Sequence, residues 1–146
     1  MDPDSEIGLV AVSKENRNLI TRFLEKLGSS KQQFRYFNHR NLEVLDNHLV
    51  TLLFLRGNEP VAYGHLDEED NVVWLGIAVT GPELGKGYGR KMMEALFDEA
   101  RRRAVRSISL TVDTDNASAI GLYEKFGFER ISENTTKQMY LYRISL

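Results

Sequence analysis

Three glycines alternate with other residues in the segment LGKGYGR, at Gly85, Gly87 and Gly89, directly before a stretch with helical spacing of apolar residues. Glycine loses more backbone entropy than other residues on folding, so its repeated use at a helix start needs a compensating role. The first N–H groups of a helix are unpaired and carry partial positive charge, and glycines let an anion approach them closely. The segment therefore predicts a site for a phosphate or pyrophosphate group.

Two common phosphate-binding loops do not fit this segment. A Walker A loop needs Gly-x4-Gly-Lys followed by Ser or Thr, but Gly81 is wrongly spaced from Gly85 and Gly87 stands where the hydroxyl should be. A dinucleotide fingerprint needs Gly-x-Gly-x-x-Gly after a first strand, whereas the spacing here is Gly-x-Gly-x-Gly after an antiparallel meander. A pyrophosphate loop of the form Arg/Gln-x-x-Gly-x-Gly and a glycine-rich turn without ligand both remain open.

A second segment with possible chemistry is DNASAIGLYEKFGF. Tyr123 follows Asn116 by seven residues, which is two helical turns, so both side chains can face one cleft. The asparagine oxygen can cap the helix while its amide group remains a donor, and a phenol can supply a proton. The alternative for Tyr123 is a core tyrosine with a satisfied hydroxyl group, and spacing alone favours that interpretation.

Taken together, the two motifs resemble the GNAT superfamily of acyl-CoA-dependent N-acyltransferases, and residues 72–130 follow the family pattern almost without gaps. The resemblance implies an N-acetyltransferase that moves an acetyl group from acetyl-CoA directly to a primary amine of a small molecule. A protein or peptide N-acetyltransferase and a non-catalytic acyl-CoA-binding sensor module are the alternatives. Tyr123 favours the enzyme, because the resemblance makes it the general acid that protonates the leaving thiolate, which a sensor does not need.

The resemblance also implies which residues bind the cofactor. The pantetheine arm of acetyl-CoA would pair with the backbone of Ile77, Ala78 and Val79, and Asn116 would bond to the same arm. A backbone N–H near Ile77 would donate to the thioester carbonyl, with Gly76 either allowing a bulge that exposes it or being small in a crowded sheet. The pyrophosphate would be wrapped by six consecutive loop residues: Gly85, Lys86, Gly87, Tyr88, Gly89 and Arg90.

Two positions depart from the family pattern. Leu84 stands where the family usually has Arg or Gln, so Lys86 or Arg90 would have to supply charge. Thr111 stands where some members carry a glutamate base, and a threonine cannot take that role. The candidates for the base are then Asp113 on the same strand face, His65 near the end of the strand PVAYGHL, the less placeable His39 and His48, or a water relay.

The acceptor site in this fold is usually built by the first helices and their loop, here QFRYFNHRNLEVLDNH. Its aromatic and cationic side chains suit a sugar ring, which makes an amino sugar a candidate acceptor. The alternative is that Phe34 and Phe37, three residues apart, anchor a short helix to the core. The expected substrate residues are Phe34, Arg35, Tyr36 and His39, with Arg40 beside them.

Composition limits the remaining possibilities. The chain has 146 residues, a formal net charge of −2 and no cysteine. We expect one domain over residues 1–146, a cytoplasmic location, a monomer or homodimer, and neither a nucleic-acid nor a membrane partner. The absence of cysteine excludes thiolate sites and a cysteine nucleophile, and no HExxH is present, so we expect no metal.

The elements that must position these residues follow from the apolar pattern. Strands are expected at 7–12, 48–55, 60–66, 72–79, 107–112 and 138–144, the last closing the sheet, with an acidic turn at 67–71. Helices are expected after Ser13, from about Tyr88 to Arg103, and from Asn116 to Phe126. The fold class is therefore α/β (α+β): a mixed, mostly antiparallel sheet of about six to seven strands, with helices on both faces and a central parallel strand pair.

Overall fold

The computed structural model describes residues 7–27, 34, 36–37 and 40–146, and within them seven strands form one sheet. The spatial order of the strands is β1-β2-β3-β4-β5-β7-β6, with β4 and β5 parallel and all other neighbours antiparallel. The strands are β1 (Ile7–Ala11), β2 (His48–Arg56), β3 (Glu59–Glu69), β4 (Val72–Val79), β5 (Ser107–Asp113), β6 (Glu129–Asn134) and β7 (Met139–Ser145). The mixed sheet with one parallel pair is confirmed.

Three α-helices in the described residues connect or cover these strands: α1 (Asn18–Glu25), α2 (Tyr88–Arg102) and α3 (Ala117–Lys125). Short 3-10 helices at Lys14–Asn16, Leu42–Asn47 and Gly81–Glu83 lie between the main elements. Ser13 is an N-cap, as expected, but it caps the first of these 3-10 helices, while α1 itself begins at Asn18 without a side-chain cap.

The helices α1 and α2 pack on opposite faces of the sheet. Ile20 and Phe23 of α1 are buried with Tyr63 of β3 in one apolar cluster. Met92 and Leu96 of α2 belong to a second cluster on the other face. Neighbouring residues of β3 point to opposite faces, so this one strand supports both clusters.

The tight turns of the meander follow local residue chemistry. Gly57 adopts a φ of 60° between β2 and β3, at the expected turn. Asp70 and Asn71 adopt φ values of 54° and 66° between β3 and β4, a left-handed pair that small polar residues tolerate. The predicted acidic turn at 67–71 is thus shorter than expected, because β3 continues through Glu69.

The end of the chain differs from the expectation. A strand not predicted from the sequence, β6, lies at the edge of the sheet with every residue exposed, so it lacks the apolar alternation that indicates a strand. The last strand, β7, does not close the sheet but lies between β5 and β6. Gly127, with φ of 100°, ends the segment after α3 as predicted.

Gly64 of β3 gives a test of the packing between the sheet and α2. A Cβ added there would lie 2.6 Å from the Met92 side chain and 3.0 Å from Leu96, whereas a Cβ at Gly8 of β1 would have no atom within 4 Å. We expect Gly64→Val to lower the free energy of unfolding by about 1–3 kcal/mol through overpacking. The matched variant Gly8→Val should not lower it. Urea unfolding measures both, and equal effects would contradict the close approach of α2.

Candidate active site

The parallel strands β4 and β5 part within the sheet and open a cavity. Their described register consists of the pair Trp74–Ser109, and beyond it the two strands separate toward their carboxyl ends. A cavity of about 1450 Å³ lies in this gap, and it is lined on one side by Ile77, Ala78 and Val79 and on the other by Thr111, Val112 and Asp113. The opening therefore lies where the backbone of β4 was expected to bind a cofactor arm.

The backbone of β4 presents hydrogen-bonding groups to this cavity. Thr80 N–H donates to the Val61 carbonyl at 3.1 Å, so Thr80 faces β3. The register between β3 and β4 is regular, and the side to which backbone groups point alternates along an antiparallel strand. The N–H and C=O groups of Ile77 and Val79 consequently point away from β3, toward the gap.

Of the two interpretations of Gly76, the bulge is absent, because the pairing of β3 with β4 continues through this residue without a register shift. The other interpretation, a small residue in a crowded sheet, agrees with the structure. A Cβ at this position would lie 2.5 Å from Cε1 and 2.7 Å from Nε2 of His65. Gly76 is therefore small because the His65 ring lies directly over it.

The glycine loop meets the start of α2 at one end of the cavity. Gly85 and Gly87 adopt φ values of 79° and 87°, a left-handed conformation that other residues rarely take. Gly87 is the N-cap residue of α2, and no side chain caps the helix there. All three loop glycines line the cavity, so the N-terminus of α2 faces it directly. A Cβ at Gly89 would lie 3.1 Å from Leu122, since α3 packs close to this helix start.

An ion pair that was not predicted from the sequence connects the end of β2 to the residues on either side of the glycine loop. Arg56, at the end of β2, donates to both carboxylate oxygens of Glu83 at 2.6 and 2.7 Å, and to the Tyr88 hydroxyl at 2.7 Å. Glu83 and Tyr88 are buried, so the network joins the residues that precede and follow the glycines. The only sequence signal was an arginine beside the turn after β2, and nothing in its local pattern indicated a partner 27 residues away.

Arg56 also controls the charge of Glu83. Its hydrogen bonds hold the pKa of the Glu83 carboxyl below its usual range, with Lys86 acting in the same direction and burial acting against them. A depressed carboxyl pKa stabilises the fold above the unfolded-state value of about 4.3. The contribution of this pair is therefore present at neutral pH and is lost as the pH falls through the lower folded-state pKa.

The remaining loop side chains differ in how they meet the cavity. Arg90 lines it while lying 3.2 Å from Glu94, both side chains being exposed. Lys86 lies 3.3 Å from Glu83 instead, with half of its side chain exposed. Leu84 is exposed and lines the cavity mouth, so no long polar side chain occupies that position.

Asn116 and Tyr123 lie on the opposite wall, where α3 borders the cavity. The Asn116 side-chain oxygen accepts from Ala119 N–H at 3.3 Å, which makes it the N-cap and leaves its amide group a donor. Tyr123 is buried, with 7% of its surface exposed, and burial raises the pKa of its hydroxyl well above the usual range. The Tyr123 hydroxyl therefore carries its proton at neutral pH.

Aromatic side chains and His65 line the other end of the cavity, and His48 is bonded to one of them, Tyr36. The Tyr36 hydroxyl lies 2.6 Å from His48 Nε2 and donates to Asp67 Oδ2 at 3.2 Å. His48 Nδ1 lies 2.9 Å from Thr51 Oγ1. Burial lowers the pKa of His48, and burial together with Asp67 raises the pKa of Tyr36, so both groups are neutral at pH 7.

His65 is buried between these rings. Its Nδ1 lies 2.7 Å from the Tyr63 hydroxyl, and its ring centroid lies 4.4 Å from that of Tyr36 and 4.5 Å from that of His48. Burial lowers the pKa of His65 well below its usual range, with His48 and Arg40 adding to the effect. His65 is therefore a neutral imidazole at pH 7, and it lines the cavity beside Asp67.

The expected substrate residues are only partly brought together. Phe34 and Tyr36 line the cavity, and Arg40 lies over the Tyr36 ring at 4.3 Å. Phe34 is also buried against Phe37, which supports the simpler expectation that these two residues anchor the segment to the core. Arg35 and His39 lie outside the described residues, so their expected role is not tested.

Metal-binding clusters and membrane-spanning helices are both absent from the described residues. No group of three or more His, Asp or Glu side chains in this part of the chain is arranged to hold a metal ion. None of the helices in the same residues combines the length and the apolar character needed to cross a bilayer.

Comparison with known proteins places the chain among acetyltransferases. The model of the Acetyltransferase (GNAT) family matches residues 9–128. The uncharacterized N-acetyltransferase YycN of Bacillus subtilis (strain 168) is 30% identical over 126 aligned positions, covering 75% of this chain and 73% of that protein. The ribosomal protein bS18-alanine N-acetyltransferase of Escherichia coli (strain K12) is 38% identical over 71 residues. That alignment covers 49% of this chain and 46% of the relative, so the chain spans about half the length of this relative.

The solved structure of yncA from Salmonella typhimurium with its cofactor acetyl-CoA has the same fold, with a TM-score of 0.71 at 17% identity. The superposition covers 97% of this chain and 94% of that one. At this level of identity the similarity extends to the fold alone.

The Arg56 network predicts how the loop responds to mutation. In Arg56→Met, Glu83 keeps its charge beside the helix N-terminus while the loop loses its support, so both effects oppose anion binding. We expect the Kd for acetyl-CoA to rise by roughly tenfold in calorimetry, because the loop must be ordered on binding. The double variant Arg56→Met/Glu83→Gln should recover part of this loss. Arg101→Met, which removes an exposed pair with Asp98, is the control; an equal loss there would contradict the account.

Proposed function

Because the chain belongs to the GNAT family of acetyltransferases, we propose that it transfers the acetyl group of acetyl-CoA directly to a primary amine. The observation that carries this proposal is the gap between β4 and β5, since it brings the β4 edge, the glycine loop, Asn116 and Tyr123 around one cavity. A thioester supplies an activated acyl group, and the chain must hold it, stabilise charge on its carbonyl oxygen and protonate the leaving thiolate.

The residues present fit acetyl-CoA. The N–H groups of Gly87, Tyr88 and Gly89 at the start of α2 suit the pyrophosphate, because an uncapped helix N-terminus attracts anions. The backbone of Ile77 and Val79 suits the amide groups of the pantetheine arm, with Ile77 N–H as a donor toward the thioester carbonyl. Asn116 adds an amide donor from α3. Apart from the Asn116 side chain, these roles use backbone groups, those of β4 that face the gap and those at the start of α2.

Tyr123 is the proposed general acid. It lines the cavity on the wall opposite β4, and its raised pKa keeps the proton on the hydroxyl at neutral pH, available to the leaving group. By the free values, proton transfer from a phenol to a thiolate is uphill by about 1.5 pH units. A thiolate that emerges in a dry site is poorly solvated and therefore more basic than a free one, which offsets this cost.

The acceptor is proposed to be a small molecule with a primary amine, an amino sugar being the first to test. Support comes from the partly aromatic end of the cavity, which is lined by Phe34, Tyr36 and Trp74 and by the carboxylates of Asp67 and Glu69. Three groups that line the cavity could take the amine proton, directly or through water: His65, Asp67 and Asp113.

A peptide α-amine is the second candidate acceptor. The observation that favours it is the similarity to the bS18-alanine N-acetyltransferase, whose name specifies an alanine of a ribosomal protein. A tetrapeptide beginning with alanine, tested beside glucosamine at equal free-amine concentration, separates the two candidates.

Ligand-dependent thermal unfolding tests the cofactor. A ligand that binds only the folded state, present at 100 times its Kd, adds about 2.7 kcal/mol to the free energy of unfolding. We expect acetyl-CoA and CoA to raise the Tm by several degrees, and ATP and NAD to leave it unchanged at the same concentrations. A shift with ATP or NAD alone, or with none of the four, would contradict the proposed cofactor site.

Tyr123→Phe separates binding from chemistry. The variant keeps the ring and removes the proton donor, so kcat for acetyl transfer should fall by roughly 10²–10⁴-fold while the Kd for acetyl-CoA stays within about twofold. Tyr140→Phe, on β7, is the matched control and should keep the wild-type kcat. Unchanged kcat in Tyr123→Phe would remove the acid from the mechanism and would favour a binding module.

A further inference from the structure

The tautomer of His65 is set by its neighbour Tyr63. Tyr63 is fully buried, and its ring packs against Phe23, Phe34 and Phe37, none of which can accept a hydrogen bond. The acceptor for its hydroxyl proton among the described residues is His65 Nδ1, at 2.7 Å. A buried hydroxyl that donates to nothing costs about 1–3 kcal/mol, so the proton of Tyr63 belongs in this bond.

This bond leaves the other nitrogen of His65 protonated. An imidazole that accepts at Nδ1 and is neutral must carry its hydrogen on Nε2. The rings of Tyr36 and His48 flank His65, Arg40 adds positive charge from the same side, and Gly76 lies beneath it, so the ring has little room to turn. In the described residues Nε2 has no hydrogen-bond partner, and the residue lines the cavity.

Resting on the proposed acetyl transfer, we propose that Tyr63 holds His65 as its Nε2–H tautomer, and that His65 donates this hydrogen to an oxygen of the acceptor rather than taking the amine proton. An Nε2–H nitrogen has no lone pair with which to accept a proton. A protonated ring would have to turn Tyr63 O–H away from Nδ1 and leave it unpaired in the apolar cluster. The amine proton then goes to a carboxylate that lines the cavity, Asp67 or Asp113, directly or through water.

The acceptor class follows from the position of the donor. The His65 ring lies over Gly76, the residue before Ile77, whose N–H points into the gap where the thioester is expected. A donor this close to the reaction centre suits an amine that carries an oxygen on a nearby carbon. Amino sugars, amino alcohols and amino-acid amides have this arrangement, and simple alkylamines do not.

Nitrogen NMR on the full chain tests the tautomer without any need for turnover. Long-range ¹⁵N–¹H correlations distinguish protonated from unprotonated ring nitrogens, and a His65→Gln spectrum identifies the His65 signals. At pH 7 we expect His65 to show a protonated Nε2 and an unprotonated Nδ1. Tyr63→Phe should give a mixture of tautomers, and Tyr142→Phe, which removes another buried hydroxyl far from His65, should not. A protonated Nδ1, a cationic ring, or an unchanged tautomer in Tyr63→Phe would overturn the proposal.

Matched acceptors test the donor role in kinetics. The pairs are glucosamine with cyclohexylamine and glycinamide with propylamine, compared at equal free-amine concentration. Wild-type kcat/KM should favour the oxygen-bearing member by at least about fivefold, which is the value of one neutral hydrogen bond. His65→Gln, which keeps an N–H donor near the Nε2 position, should retain this preference, and His65→Phe should lose it.

The kinetic and spectroscopic results separate two kinds of failure. If His65 were the base, His65→Gln and His65→Phe would lose activity equally and the acid limb of the pH profile would vanish, which would overturn the donor role. If no amine were acetylated, the proposed function would fail, and the NMR result would still decide the tautomer.

Discussion

Two parallel strands that part inside a sheet leave backbone N–H and C=O groups without a partner, and the rest of this structure depends on that separation. β4 remains fully paired with β3, so its free edge faces β5 with regular spacing. Buried backbone groups need partners, and a ligand with amide groups of its own can supply them. The antiparallel half of the sheet, held from both faces by α1 and α2, keeps this edge rigid.

Electrostatic effects at the two ends of the cavity differ in kind. At the loop, the helix N-terminus and Arg90 favour an anion, while Arg56 neutralises the buried carboxylate of Glu83. At the proposed acceptor end, burial keeps His48 and His65 uncharged, and the charge there comes from carboxylates and Arg40. The proposed anion site and the proposed amine site are thus separated by the length of the β4 edge.

Local sequence patterns predicted the features that depend on local chemistry. The glycine loop, the cap at Asn116 and the strand β4 follow from residue types and spacing, and the structure places them as expected. The exposed strand β6 could not be predicted, because its pairing with β7 is not encoded in an apolar alternation. Three features depend on residues distant in sequence that only the folded sheet brings together. They are the need for glycine at position 76, the Arg56–Glu83 pair and the His48–His65 contact.

Amide hydrogen exchange at the edge of β4 tests the central claim most directly. In the free protein the amides of Ile77 and Val79 should exchange much faster than that of Ala78, which alternation along the strand directs to β3. Saturating acetyl-CoA should slow exchange at Ile77 and Val79 strongly and leave Ala78 nearly unchanged. Protection that spread evenly over the three amides, or that was absent from Ile77 and Val79 while ligand was bound, would contradict the account that the parted strands form the cofactor site.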